Sequence, residues 1–527
     1  MNAIPIRPFG RRRVWAPTAT EATAFDRLAI QDHGIPQATL MECAGRSAAQ
    51  VLEQMFPRGD VVAFIGTGNN GGDGLVLLRT LRAWGRPVSA ILVGDQDDRA
   101  DLMHGWDVPL RGDEDLLAGS GKSCEVVGRA EIVVDGILGT GINGAPRSRQ
   151  ARAIQTINKS ERPVFALDTP SGVDGNTGRI EGDAVTAHVT ISFGWPKLGT
   201  LLQPGRAKVG RLIAVEIGFP SVEKEVFRAM AITPAWFVEA LPAREPDTHK
   251  SRVGSLLLVA GSTGMAGAAV MAARGALRAG VGLLRIVSAP DNRSIVQGAV
   301  PEAIFVAGDD QEALREAAHA SCAMALGPGL GDGDEVSKLL VSVLEATGGL
   351  PAVLDADALN LAASGAGPTL EEWAVERPVL ITPHLGEMQR LSQMGVSNIE
   401  MDRVLAARVL ADLAGVTVLL KGLPSIVVTP TGTCYVDTVG TSDLAAGGMG
   451  DVLTGVAGSL LAQGVTPSQA GALALYLTGR AARRTEMGPS LTPSDVIDEI
   501  AAVRTEQGSG ETDLSLPFIL FDQDAAR

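Results

Sequence analysis

Two glycine-rich segments place chemistry-bearing residues where phosphate-bearing ligands bind: GTGNNGGDG at 66–74 and GGMGDVLTG at 447–455. Each follows a strand-like run and leads into a helix-like one. Amide N–H groups at a helix start attract anions, and glycine lets a phosphate come close. Neither segment is the dinucleotide GxGxxG or the GxxxxGKS/T phosphate loop. In the second, Asp451 directly follows Gly450. A carboxylate there takes a proton from an attacking hydroxyl while amides hold the transferring phosphoryl group. The plainer reading is a glycine-rich helix entry capped by Asp451. Two such loops in separate halves imply two active sites on one chain.

Other segments gather around each loop. VVDGILGTGINGAP (133–146) brings Asp135, ALDTPSGVDGNTG (166–178) brings Asp168 and Ser171, and FGWPKLGT (193–200) brings Lys197. All follow predicted strands, where open α/β sheets bind ligands. Singly, each is as well read as a turn, a cap or a solvated lysine; their joint occurrence at successive strand ends points to a site. In the second half the companions are GSTGMAGAA (261–269), GPGLG (327–331), LDADALN (354–360), TPHLGEM (382–388) and LLKG (419–422). His384 reads as a turn former or a ligand contact. Lys421 reads as a phosphate contact or a strand-edge cap.

The elements that must position these residues are legible from pattern. Thr18 and Glu21 have capping-box spacing for a helix through about Gln31. Runs 61–66, 87–93, 131–136 and 163–168 read as short buried strands, with helices at 74–84 and 148–159. That alternation predicts a parallel sheet covered on both faces. The pattern breaks at 222–230 and restarts with strands at 254–261, 283–287, 323–327, 352–355, 378–381 and 416–420. A small-residue helix runs to Ala279, and helices at 449–462, 468–484 and 493–503 close the half. The expected domains are 14–222 and 228–505, with 506–527 a frayed polar tail.

Composition sets the class. A chain of 527 residues exceeds one ordinary core, and 45% hydrophobic with 20% charged residues is typical of globular proteins. The formal charge of −15 repels nucleic acid and anionic membranes, and 4% aromatics argue against a base-stacking platform. Cys43, Cys124, Cys322 and Cys434 make no CxxC pair, which argues against a disulfide framework or zinc site and fits a reducing cytoplasm. No apolar run follows Arg11-Arg12-Arg13, so no secretory signal is expected. The uncharged stretch 452–479 is broken at 463–467 and reads as two buried helices, not a membrane span.

From about Ala16 to Phe219, including GIPQATLMECAG (34–45), these motifs resemble the NAD(P)H-hydrate epimerase family, the YjeF N-terminal domains. The resemblance implies a Rossmann-like three-layer domain with a parallel sheet. It further implies that Asn69, Asn70, Gly71, Gly72 and Asp73 hold a hydrated nicotinamide cofactor, together with Gly139, Thr140, Gly141, Ile142, Asn143, Gly144 and Ala145. Asn70, Asp135 and Ser171 would bind K+, and Asp168 would contact the substrate near its reacting carbon. That carbon, C6 of the reduced ring, bears a hydroxyl beside the ring nitrogen. It can invert by losing hydroxide to an iminium and regaining water on the other face. Asp168 is then the acid/base group, with Lys197 in support.

Residues 230–503 resemble the ADP-dependent NAD(P)H-hydrate dehydratase family, whose fold is ribokinase-like α/β. By matching motif positions, Ala268, Gly329, Gly331, His384 and Asp451 would contact the hydrated cofactor. Lys421, Gly422, Leu423, Pro424, Ser425 and Gly450 would contact the adenine nucleotide, with Mg2+ accompanying ADP. The implied reaction phosphorylates the C6 hydroxyl of NADHX or NADPHX and eliminates phosphate. A cytoplasmic homo-oligomer without nucleic-acid or membrane partners is expected. Two departures stand out: HKSRVG (249–254) where HKGxxG is usual, and Asp443 and Leu444 before the catalytic loop. GxGD alone leaves open a small-molecule kinase of the ribokinase superfamily. The first half alone leaves open a non-catalytic binding module.

Overall fold

A computed structural model describes residues 13–94, 102–118, 121–142, 144–222, 226–247, 249–506 and 518–521. The chain divides into two compact units, Met1–Met230 with Glu511–Arg527, and Ala231–Gly510.

The first unit is built on seven parallel strands: β1 Val61–Ile65, β2 Val88–Leu92, β3 Leu110–Gly112, β4 Ile132–Gly136, β5 Val164–Leu167, β6 Val189–Phe193 and β7 Arg211–Val215. In space they run β7-β6-β5-β4-β1-β2-β3. Successive strand residues point to opposite faces. Val61, Ala63 and Ile65 therefore join the core that includes Leu52, Leu77 and Leu81, from the helices Gln37–Met55 and Asn69–Ala83. Val62 and Phe64 join the opposite core with Ala153, Ile154 and Ile157 of the helix Ser148–Lys159. Both faces are covered, as the sequence pattern requires. The helix Ala19–Gln31 begins with the expected Thr18–Glu21 capping box.

In the second unit the strands are β8 Ser255–Val259, β9 Leu283–Ser288, β10 Ile304–Ala307, β11 Ala323–Leu326, β12 Ala352–Leu354, β13 Val379–Ile381, β14 Thr417–Leu420, β15 Ile426–Val428 and β16 Cys434–Val436. They are ordered β16-β15-β14-β13-β12-β11-β8-β9-β10, and β8 through β14 are parallel. β15 and β16 add an antiparallel meander. The helices Ala266–Arg278 and Met449–Ala462 touch backbone to side: a Cβ on Gly455 would lie 1.9 Å from the Ala272 carbonyl oxygen. Glycine and alanine there let the second helix seat deeply.

Two expectations change. Phe518–Phe521, within the stretch expected as a polar tail, forms a strand, β17, antiparallel to β7. The first glycine-rich segment is also more helical than expected, since the helix starts at Asn69, not 74. The uncharged stretch is two helices, Met449–Ala462 and Pro467–Thr485, joined by a turn. Among the described residues no helix is long and apolar enough to cross a membrane.

Candidate active sites

Strand order reverses once in each sheet. In the first, β1 is followed outward by β2 and β3, while β4 returns to its other side. A crevice opens outside the strand carboxyl ends at such a point. The Asn70 amide bridges it, with Nδ2 donating to the Leu138 carbonyl at 2.8 Å and to the Leu167 carbonyl at 3.0 Å.

A cavity of about 550 Å³ lies there. Asn69, Asn70 and Asp73 line it from one loop. Gly139, Thr140, Gly141, Ile142 and Ala145 line it from the next, and Asp168 and Lys197 from later strand ends. Gly71, Gly72 and Gly144 do not line it. The Gly71 amide is spent on the Gly68 carbonyl at 3.0 Å, and a Cβ on Gly71 would meet the Gly66 carbonyl oxygen at 1.9 Å. Gly72 faces Met41 in the same way, 2.5 Å from its terminal methyl. These two glycines serve close packing. Asn143 lies outside the described residues.

Asp168 occupies the left-handed region at φ 61°, which is strained for a non-glycine residue. Its amide donates to the Ile191 carbonyl at 2.7 Å, and Ser192 Oγ donates to its carbonyl at 2.9 Å. Lys197, 4% exposed, pairs directly with Asp168 Oδ1 and donates to the Phe193 carbonyl at 3.0 Å. Trp195 and Phe219 stack at 5.3 Å and form an aromatic wall of the cavity.

Beneath it lies an oxygen-rich cradle. Asp135, fully buried, accepts from Ser171 Oγ at 2.6 Å, from the Ser171 amide at 2.8 Å and from the Ile137 amide at 3.2 Å. Burial pushes its carboxyl up to about 6, against those hydrogen bonds. Asn70 Oδ1 is buried with no partner. An orphaned amide oxygen beside a buried carboxylate, a hydroxyl and the Leu138 carbonyl suits a large, hard monovalent cation.

In the second unit the order reverses between β8 and β11. Gly261 N donates to the Pro328 carbonyl at 2.9 Å, and Ser262 N to the Gly329 carbonyl at 2.7 Å. A Cβ on Gly329 would sit 2.8 Å from that of Ala268, so these two adjoin. The Gly331 amide donates to Asp357 Oδ2 at 2.8 Å. Asp451 lies in the first turn of the helix Met449–Ala462, which follows Gly448 in the left-handed conformation. Lys421 Nζ lies 3.5 Å from where a Gly450 Cβ would stand. It donates to Asp355 Oδ1 at 2.8 Å and lies 3.8 Å from Glu387 Oε2. Burial, then the Asp355 carboxylate, raises Asp451 to about 7; Lys421 opposes and Asp357 adds.

His384 caps the helix Leu385–Ser392, its Nδ1 accepting from the Gly386 amide at 2.9 Å. Burial and the Lys421 and Arg390 charges lower its pKa. The neutral ring therefore carries its proton on Nε2, and its side chain remains 55% exposed. Its Nε2 lies 3.4 Å from Glu387 Oε1, so the cap and a neighbouring carboxylate together set the ring's orientation. The 421–425 turn is closed by Ser425 Oγ, which donates to the Gly422 carbonyl at 2.9 Å.

Residues 37–199 match the family model described as the YjeF-related protein N-terminus, and residues 256–502 match that described as NAD(P)H-hydrate dehydratase. A bifunctional NAD(P)H-hydrate repair enzyme of Moorella thermoacetica is 36% identical over 507 residues, covering 91% of this chain and 95% of the relative. One from Salinibacter ruber is 36% identical over 531 residues, 93% of this chain and 96% of the relative. The chain belongs to the bifunctional NAD(P)H-hydrate repair enzymes. A solved ADP/ATP-dependent NAD(P)H-hydrate dehydratase of Bacillus subtilis, co-crystallised with ATP and Mg2+, is 32% identical, covering 51% of this chain and 96% of its own, with a TM-score of 0.45.

As a member of these repair enzymes, the chain carries an epimerase domain followed by a dehydratase domain. Several residues around the repair enzyme's two sites had no signal of their own in the sequence. Asp355 and Asp357 sit in LDADALN (354–360), where nothing in the local pattern marks a role for them. Glu387 is one helical turn past His384, and Thr454 one turn past Asp451. Asp26 lines the first cavity from a helix whose sequence showed only its capping box.

Proposed function

We propose that the first unit interconverts the R and S epimers of NADHX and NADPHX. The second unit then converts the S epimer to NADH or NADPH with ADP, releasing AMP and phosphate. What carries this reading is that each crevice brings a carboxylate and a lysine together: Asp168 in contact with Lys197, and Asp451 in the field of Lys421, which is itself held by Asp355.

In the first unit the lone pair on the ring nitrogen expels the C6 oxygen, leaving a C6–N iminium. Water adds to the other face, and the π pair returns to nitrogen. Asp168 carries a proton in this exchange, and Lys197 stabilises its carboxylate. Asn70 Oδ1, Asp135, the Leu138 carbonyl and Ser171 Oγ would hold K+, which supplies fixed positive charge beneath the pocket.

In the second, Asp451 takes the C6 hydroxyl proton as that oxygen attacks the terminal phosphorus of the donor. The P–O bond to the leaving nucleotide breaks, its pair departing on AMP. The C6–O bond then breaks with phosphate leaving, and loss of the C5 proton restores the ring. Among the described residues no group of three or more His, Cys, Asp or Glu makes a metal cage. Mg2+ would therefore enter on the nucleotide phosphates, where it neutralises charge. His384 Nε2, Ala268, Gly329 and Gly331 would bound the ring. Lys421 through Ser425, with Gly450, would bound the nucleotide.

The net charge of −15 supports small-molecule partners over nucleic acid or membrane, and we place the enzyme in the cytoplasm as a homo-oligomer. The test is incubation of mixed-epimer NADHX with ADP, following absorbance of the reduced nicotinamide before uncatalysed epimerisation matters. Complete conversion needs both activities. Conversion stopping near half leaves only the dehydratase, and no conversion overturns the reading.

A further inference from the structure

Inversion at C6 has a geometric demand that one carboxylate does not meet. The hydroxyl leaves from one face of the ring, and water arrives on the other. Each event needs a proton carrier on its own side. Asp168 occupies one wall of the cavity, at the end of β5. Another carboxylate reaches the same cavity from a different element. Asp26, on the helix Ala19–Gln31, lines it with Lys197 and Asp168.

Asp26 is held there firmly. Phe25, its neighbour, is 3% exposed and packs edge-on against Trp195 at 5.4 Å and against Phe219 at 5.6 Å. The helix start is tied down as well. The Ala19 amide donates to the Gly175 carbonyl at 3.2 Å, and the Thr20 amide donates to Asn176 Oδ1 at 3.0 Å. Asp26 itself makes no hydrogen bond or ion pair among the described residues. A half-buried carboxyl turned to a ligand cavity without an internal partner is arranged for a ligand.

We propose that Asp26 is the second acid/base residue of the epimerase, serving the face of the nicotinamide ring opposite Asp168. The inference rests on the epimerase reading above. With the R or S hydroxyl toward Asp26, the Asp26 carboxyl gives its proton to that oxygen. The C6–O bond breaks, the pair leaves with oxygen as water, and the ring nitrogen lone pair forms the C6–N π bond. Water then adds from the Asp168 side. Its oxygen forms the new C6–O bond, the π pair returns to nitrogen, and Asp168 takes the released proton. The opposite epimer runs the same steps with the two carboxylates exchanged, so the pair is restored over two turnovers or through solvent.

The surroundings of the two carboxyls differ. Burial raises the Asp26 carboxyl, with the Lys197 charge opposing and the Asp168 charge adding. Asp168 is in direct contact with the Lys197 ammonium, a partner that Asp26 lacks.

The test uses the full-length protein. Wild type is first checked for epimer interconversion, and its absence would overturn the epimerase reading together with this inference. Asp26→Asn should slow interconversion by about 10²–10⁴-fold while ADP-dependent dehydration of the S epimer stays at the wild-type rate. Oxygen exchange from ¹⁸O-water into C6 separates catalysis from structure. Asp26→Asn should still exchange the epimer whose hydroxyl faces Asp168, without inverting it, and Asp168→Asn should still exchange the other. Asp26→Glu should recover part of the interconversion. Interconversion near the wild-type rate in Asp26→Asn overturns the proposal, as does equal loss of exchange from both epimers.

Discussion

Lys421 Nζ donates to Asp355 Oδ1 at 2.8 Å, and Asp355 is 1% exposed. The other oxygen of Asp355 accepts from Thr454 Oγ1 at 2.7 Å, one turn beyond Asp451. Ala356, the next residue, is held at φ 46°, a strained conformation for alanine. One carboxylate thus ties the lysine of the 421–425 turn to the helix that carries Asp451.

Asp355→Asn should loosen that lysine. Breaking one side of a buried, hydrogen-bonded ion pair costs about 3–5 kcal/mol, lessened here because Glu387 lies 3.8 Å from the same ammonium. The dehydration rate should fall roughly 10-fold or more, with a higher KM for ADP, while epimerisation is unchanged. Separate initial-rate assays of the two reactions check this. Unchanged KM and kcat for dehydration would remove the positioning role of Asp355.

Asp451→Asn should reduce dehydration by about 10²–10⁴-fold and leave epimerisation intact. It should also change stability with a definite sign. A carboxyl raised from 3.8 to about 7 keeps its proton in the folded state longer than in the unfolded one. Wild type therefore loses stability as pH rises from the lower value to the higher. The Tm gain of Asp451→Asn over wild type should grow between about pH 4 and pH 7 and level off above. A gain that shrinks over that range contradicts the electrostatic account. The wild-type kcat/KM for dehydration should rise over the same interval, as the base ionises.

Asp168→Asn should stop epimerisation while the S epimer is still repaired. Asparagine tolerates the left-handed conformation at φ 61°, so the backbone need not shift. R epimer accumulating in a mixed-substrate assay is the expected result. Interconversion at the wild-type rate would assign the proton to another group.

Replacing K+ by tetramethylammonium should lower the epimerisation rate, and titrating K+ back should restore it. Asn70→Ala should weaken that response because the buried, unpartnered Oδ1 is removed. A rate indifferent to the cation leaves the Asp135–Ser171 cradle a purely internal network.

ADP should support repair better than ATP. With adenosine anchored by the 421–425 turn, the two donors place their terminal phosphates about one phosphate unit apart, and reacting atoms must come within roughly 3–3.5 Å. One loop cannot serve both equally. Matched initial rates at saturating donor decide the direction, and an ATP preference overturns it.

Much of this architecture is readable in the chain. The 148–159 and 449–462 helices have the bounds that their patterns indicate, because caps, glycines and apolar periods agree there. β6 and β7 escaped notice, since TISFGWP and RLIAVEIG lie among polar and glycine-rich segments without clear alternation. The reversal of strand order also lies beyond local pattern. It places 66–74 beside 133–146, yet it depends on which strands pair across long separations. Motif loops announce themselves by glycine. Asp26 and Asp355 carry no such mark, because an isolated aspartate on a helix or at its cap looks the same wherever it points.

The strand Phe518–Phe521 makes the first unit's sheet depend on a segment that follows the whole second unit in sequence. A ribosome delivers this segment only after all of Ala231–Gly510. Until then β7 ends the sheet with an unpaired row of backbone donors and acceptors, which is a template for association with another chain. During synthesis, the epimerase half waits for its last strand while the dehydratase half is made. A chain cut between the two activities would leave that edge permanently open, which ties the two repair steps together in biogenesis as well as in chemistry.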